Sequence, residues 1–106
     1  MQDIELKGDW ESKRVFVDNI ELLPDESLKV IRHSPDGFNW GYRGSGAAQL
    51  ALAICLKCFK KDVALKYYEK FKNDWIATRP QGDFAMTIPI GEWIWTAETY
   101  GLNPEQ

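Results

Sequence analysis

The stretch His33-Ser-Pro-Asp-Gly-Phe-Asn-Trp-Gly-Tyr-Arg-Gly-Ser-Gly-Ala-Ala-Gln-Leu50 decides how this chain is read. Its first half is turn and extended chain, and its second half opens the most apolar helix of the sequence. Ser34-Pro35-Asp36-Gly37 has turn composition, because proline presets φ and glycine supplies flexibility at the last position. Phe38, Trp40 and Tyr42 alternate with Asn39, Gly41 and Arg43, which predicts three aromatics on one side of an extended segment. Ser45 is read as an N-cap, and the run from Ala47 to Leu56 is helix former after helix former, apolar on nearly all sides. Such a helix belongs at the centre of a core.

Outward from this stretch, the pattern divides the chain into strands followed by helices. Asp3 to Lys7 alternates polar and apolar residues, the period of a half-buried strand. Lys13 to Val17 and Ile20 to Leu23 are two more strand-like runs around Asp18-Asn19, residues that tolerate positive φ in a tight hairpin turn. Pro24 ends pairing, Asp25 to Ser27 reads as a polar turn, and Leu28 to Arg32 reads as a fourth strand or extended segment. Beyond the central helix, Asp62 is read as the cap of an amphipathic helix carrying Ala64, Tyr67, Tyr68, Phe71 and Trp75. That helix fades near Thr78, ahead of Pro80. Phe84 to Met86 suggests a short strand, and Thr87 is read as the cap of a last helix with Ile90, Trp93, Ile94 and Ala97 on one face. Gly101 is the stop, and residues 102–106 are read as a frayed tail. Strands first and helices second predict an α+β fold: a small antiparallel sheet of three to four N-terminal strands against two to three helices. With 106 residues, one domain over 1–106 is expected.

Composition narrows the functional classes. A charged fraction of 27% and an apolar fraction of 44% describe a globular protein, and the net charge of −3 argues against general nucleic-acid binding. The charge is uneven: residues 1–26 carry −5, whereas residues 57–72 carry +4. Lys60, Lys61, Lys66 and Lys70 in the basic stretch are therefore a candidate surface for a protein partner. The acidic N-terminus has no apolar signal-peptide core and no run is long enough to span a bilayer, so a cytoplasmic location without membrane contact is expected. Cys55 and Cys58 lie well inside a helix, away from the N-terminal turn where thiols are activated. They are read as packing, and two cysteines with one distant histidine do not make a zinc site. Neither a cofactor nor a metal is expected.

The candidate site is the rim at the start of the central helix: His33, Trp40, Arg43, Gly44, Ser45 and Gly46. Unpaired N–H groups at a helix start attract anions, and Arg43 and His33 would add charge or hydrogen bonds. The spacing is neither a phosphate loop nor a dinucleotide fingerprint. Ser45 with His33 as base, and Asp36 nearby in sequence, is the hydrolase alternative, but it lacks the strained nucleophile turn, and Ser45 has a simpler role as an N-cap.

Asn19 to Leu22, Ser27-Leu28, His33 to Pro35, Gly37 to Tyr42, Gly44 to Ala53 and Phe71-Lys72 carry a family resemblance. The chain resembles a small family of unknown function found in bacteria, their phages and mobile elements. Its pattern runs His-Ser-Pro-x-Gly-Phe-x-Trp-Gly-Tyr-x-Gly-Ser-Gly-Pro-Ala-Gln-Leu-Ala-Leu, and the likeness covers about residues 13 to 95. Ala47 stands where the family usually has proline, and Arg43 where glycine is common. The resemblance implies a shared fold and motif surface but no reaction. Small size, the missing catalytic sets and the resemblance together favour a non-catalytic accessory or regulatory binding module of phage or mobile-element type with a protein partner. The alternatives are an anion- or nucleic-acid-ligand-binding domain, or a small hydrolase using Ser45 and His33.

Overall fold

Leu6, Val15 and Val17 point to the same side of two neighbouring strands, and all three are buried. In the computed structural model, which describes residues 1–101, these strands are β1 (Ile4–Gly8) and β2 (Val15–Val17), and β3 (Ile20–Leu22) pairs with β2. Asp18 and Asn19 take φ of 50° and 66°, as the hairpin turn requires. The fourth strand, β4 (Phe84–Ile88), comes from the C-terminal part of the chain and pairs with β1. The sheet is antiparallel throughout, in the order β3-β2-β1-β4.

The α+β expectation holds, with two corrections. Residues 28–32 are not a strand: Asp25–Val30 form a short helix, α1. The alternation of Leu28 and Val30 suggested a strand, but Asp25 and Glu26 in the first turn and Lys29 in the last suit a helix dipole. The sheet takes its fourth member from Phe84–Ile88, which extends two residues beyond the strand read from sequence and absorbs Thr87. The described residues form four helices: α1, α2 (Ser45–Cys58), α3 (Lys61–Phe71) and α4 (Ile90–Tyr100), with a π-helical turn at Lys72–Ile76 after α3. The caps move accordingly: Gly44 caps α2, Lys60 caps α3 and Pro89 caps α4, in place of Ser45, Asp62 and Thr87. The tail expected over residues 102–106 lies outside the described residues.

Helix α2 is buried from Gly46 to Cys55 and shares one core with the inner face of the sheet, α3 and α4. Inside that core sits an uncharged polar residue, Gln49, with no exposed surface. Its Oε1 accepts the N–H groups of His33 at 2.7 Å and Ser34 at 3.0 Å. Its Nε2 donates to Ser27 Oγ at 2.8 Å and to the Ile31 carbonyl at 3.1 Å. The Ser27 hydroxyl in turn donates to the Pro24 carbonyl at 2.7 Å. One amide thus joins α2 to α1 and to the start of the loop that follows α1.

A buried amide of this kind is costly to remove, because each group left without a partner costs about 1–3 kcal/mol. Gln49→Leu keeps the volume but orphans groups on both sides of the side chain. It is expected to cost about 3–5 kcal/mol in urea denaturation, whereas Ser27→Ala, which leaves the backbone bonds of Gln49 in place, should cost about 1 kcal/mol.

Candidate functional site

The loop from His33 to Gly44 is held mostly by bonds to other parts of the chain. Beyond the Gln49 anchor, Phe38 and Trp40 enter the core, and Trp40 is fully buried. Its Nε1 donates to the Gly82 carbonyl at 2.9 Å, and its ring meets Trp10 and Phe84 edge-on at 5.6 and 5.1 Å. Trp40 is therefore a core residue and does not reach the rim where the sequence reading put it. Gly41 takes φ of 83°, donates its N–H to the Ile76 carbonyl at 3.1 Å, and its own carbonyl accepts Gln81 Nε2. That positive φ reverses the alternation, so Tyr42 points outward rather than beside Phe38 and Trp40. The Tyr42 ring lies over Gly44, and its hydroxyl accepts Asn39 Nδ2 at 3.1 Å.

Two glycines of the rim serve close packing. A Cβ on Gly44 would enter the Tyr42 ring, and a Cβ on Gly46 would stand 2.6 Å from Asn39 Cβ and 2.9 Å from its backbone nitrogen. Arg43 and Ser45 remain exposed, and among the described residues no side chain caps the first turn of α2. His33 lies apart from this pair in its bonding. Its Nε2 is 2.8 Å from the Tyr68 hydroxyl, in a hydrogen bond, and the two rings are tilted against each other at 5.6 Å. Among the described residues no hydrogen bond links His33 to Ser45. The rim thus brings Arg43, Gly44, Ser45 and Gly46 together as consecutive residues, while His33 is held by α2 and α3 and Trp40 by the core.

The cysteines and lysines follow their surroundings. Burial raises the Cys55 thiol well above its ordinary pKa and raises Cys58 as well, which opposes thiolate chemistry at either position. Lys70 is half-buried and its Nζ donates to Asp74 Oδ2 at 3.0 Å; the same oxygen accepts Trp93 Nε1 at 2.9 Å. Lys70 is thus a structural cation that helps fasten α4, whereas Lys60, Lys61 and Lys66 stay exposed. Among the described residues no group of three or more His, Cys, Asp or Glu side chains is placed to hold a metal ion, and no helix is long and apolar enough to cross a membrane.

A further concavity lies elsewhere, and the sequence reading missed it. A cleft of about 730 Å³ opens between β3, α1 and α2. Leu22, Leu23, Val30, Ala53 and Leu56 supply its apolar lining; Glu21, Asp25, Glu26 and Lys57 supply charge. Leu23 is 58% exposed although it is a large apolar residue. Glu21 is held in a two-pronged contact by Arg14, at 2.9 and 3.1 Å, and that hydrogen bonding lowers its carboxyl pKa. Glu26 pairs with Lys29 at 3.2 Å. The only local hint in the sequence is Leu23, an apolar residue wedged between a strand and Pro24.

A family model described as a family of unknown function (DUF6166) matches residues 6–96. No curated protein and no solved structure matches the chain.

Packing at Gly46 and freedom at Ser45 separate scaffold from surface within the motif. Gly46→Ala is expected to lower the thermal midpoint by several degrees despite the better helix propensity of alanine, since its Cβ meets backbone. Ser45→Ala should leave the midpoint within about a degree, because substitutions away from buried contacts usually cost under about 0.5 kcal/mol. Alkylation under native conditions should label Cys58 before Cys55, and both more slowly than an unfolded thiol at the same pH, because a raised pKa leaves less thiolate.

Proposed function

The chain belongs to DUF6166, a family of unknown function, and we propose that it is a non-catalytic module that binds a protein segment in the cleft between α1, α2 and β3. The observation that carries this reading is the lining of the cleft: Leu22, Val30, Ala53 and Leu56 are buried or half-buried, whereas Asp25, Glu26 and Lys57 are exposed. Sites for small molecules have several polar groups converging on the ligand. Here the one hydroxyl in the lining, Ser27, already donates to Pro24 and accepts from Gln49. An apolar centre within a polar rim is instead the anatomy of a protein interface. The rim carries Glu21, Asp25 and Glu26 against Lys57, and residues 1–26 carry −5. The complementary partner presents apolar side chains flanked by lysine or arginine.

Support for a non-catalytic role comes from the motif, whose histidine bonds Tyr68 and whose tryptophan is buried. An accessory role of phage or mobile-element type is part of the proposal and rests on the resemblance of the motif alone. A small anion at the start of α2 is a second reading, favoured by the exposure of Arg43 and Ser45 beside an uncapped first turn.

A photoreactive side chain at position 23 is expected to capture a partner that one at position 66 does not. Leu23→Asp should then weaken binding of the purified partner at least about tenfold, or about 1.4 kcal/mol, with Lys66→Ala within twofold of the parent. Equal capture at both positions, or binding indifferent to Leu23→Asp but lost in Arg43→Ala, would move the interface away from the cleft.

A further inference from the structure

The two edges of the sheet differ in how they are protected. The β3 edge is three residues long and carries Glu21, which is paired with Arg14. Short length and charge are common ways of keeping an edge from pairing with other chains. The opposite edge, β4, is five residues long and reads Phe84-Ala85-Met86-Thr87-Ile88, with neither charge nor proline.

Among the described residues, the hydrogen-bond pattern shows which groups of β4 are free. The Glu5 carbonyl accepts the Asp18 N–H at 2.8 Å, and the Glu5 N–H donates to Asp18 Oδ1 at 2.9 Å. Likewise the Asp9 N–H donates to Arg14 and its carbonyl accepts from Lys13. Odd-numbered residues of β1 thus face β2, so Ile4, Leu6 and Gly8 face β4, where they stand opposite Ile88, Met86 and Phe84. It follows that Ala85 and Thr87 turn both their N–H and C=O groups away from the sheet. Their side chains are small and exposed. On the inner face, Phe84 and Met86 are only half-buried, whereas Leu6, Val15 and Val17 on the neighbouring strands are fully covered.

We propose that a second copy of this chain pairs antiparallel with β4 about a two-fold axis at Met86, joining the two sheets into one. That register sets Ala85 opposite Thr87 of the second copy, and the reverse, so both free pairs of backbone groups are used. A shift of the axis towards Ile88 would draw in Pro89, which has no N–H to give. The same register lays Met86 against Met86 and Phe84 against Ile88 of the second copy, covering the half-exposed inner face. Any strand satisfies the backbone, but the two-fold register matches these apolar side chains with their own kind and brings no charge into the contact. This inference is independent of the cleft, which is bounded by the other edge of the sheet.

Sedimentation equilibrium of the full chain from micromolar to millimolar concentration tests it. The expected result is a mass rising towards twice 12.2 kDa, and loss of the dimer in Thr87→Pro with an unchanged far-ultraviolet circular dichroism spectrum. Proline is tolerated there because the Thr87 N–H is not part of the ladder with β1. Amide hydrogen exchange gives a second readout on the parent protein: the Ala85 and Thr87 amides should slow as concentration rises. A single-chain mass at every concentration, a dimer that persists in folded Thr87→Pro, or concentration-independent exchange at both amides would overturn the proposal.

Discussion

The Gln49 side chain is the constraint on which the front of the molecule depends. A polar group in an otherwise apolar core is tolerated only when each of its hydrogen-bonding atoms finds a partner. Gln49 meets that condition by gathering groups from three places: Ser27 on α1, the Ile31 carbonyl just after it, and the N–H groups of His33 and Ser34. These partners fix where α1 sits on α2 and where the motif loop begins. The motif loop then returns to the start of α2 by burying Phe38 and Trp40. The cleft is a by-product of the same constraint, since α1 is held against α2 near Ser27 while Leu22 and Leu23 bound the open side.

This explains what was legible in the sequence and what was not. Alternation found β1 and the β2–β3 hairpin because one face of each meets the core, and the apolar run found α2 because it is surrounded on all sides. Residues 28–32 misled for a physical reason. A two-turn helix is too short to show a period, and its placement is decided by a glutamine some twenty residues later. Tyr42 misled because one glycine with positive φ reverses the side on which later residues emerge. The fourth strand was found as a strand but not as the sheet edge, because pairing between residues about eighty apart leaves no local mark.

The candidate site divides along the same line. Local chemistry placed Arg43, Gly44, Ser45 and Gly46 at a helix start, and they are there. It did not show the environments of Trp40 and His33, which are made by distant residues: Gly82, Trp10 and Phe84 for the first, Tyr68 for the second. The glycine-rich spelling that suggested a ligand cradle has a steric reason at Gly46, where a Cβ would meet the Asn39 backbone, while a Cβ on Gly44 would meet only the exposed Tyr42 ring. The cleft could not be located from the sequence, because its lining comes from β3, α1 and α2 and belongs to no single segment. Its acidic margin was nevertheless present in the sequence as the charge imbalance of the first 26 residues.

Sheet order relates the two proposed contacts. In β3-β2-β1-β4 the strand that lines the cleft and the strand proposed to pair with a second copy are the two outermost. Three strand spacings of about 4.8 Å separate them by roughly 14 Å across the sheet. The central strands β1 and β2, which lie between, have both edges satisfied and the inner face buried. A contact at one edge therefore leaves the other open, and a two-fold pairing at β4 would hold two clefts at the far ends of one continuous sheet. A partner with two binding segments would then meet both clefts at a fixed spacing, which raises its effective concentration at the second cleft once the first is filled. The chemistry of each edge suits its part: charge and a short strand beside the cleft leave that edge for side-chain recognition, while the uncharged β4 offers backbone.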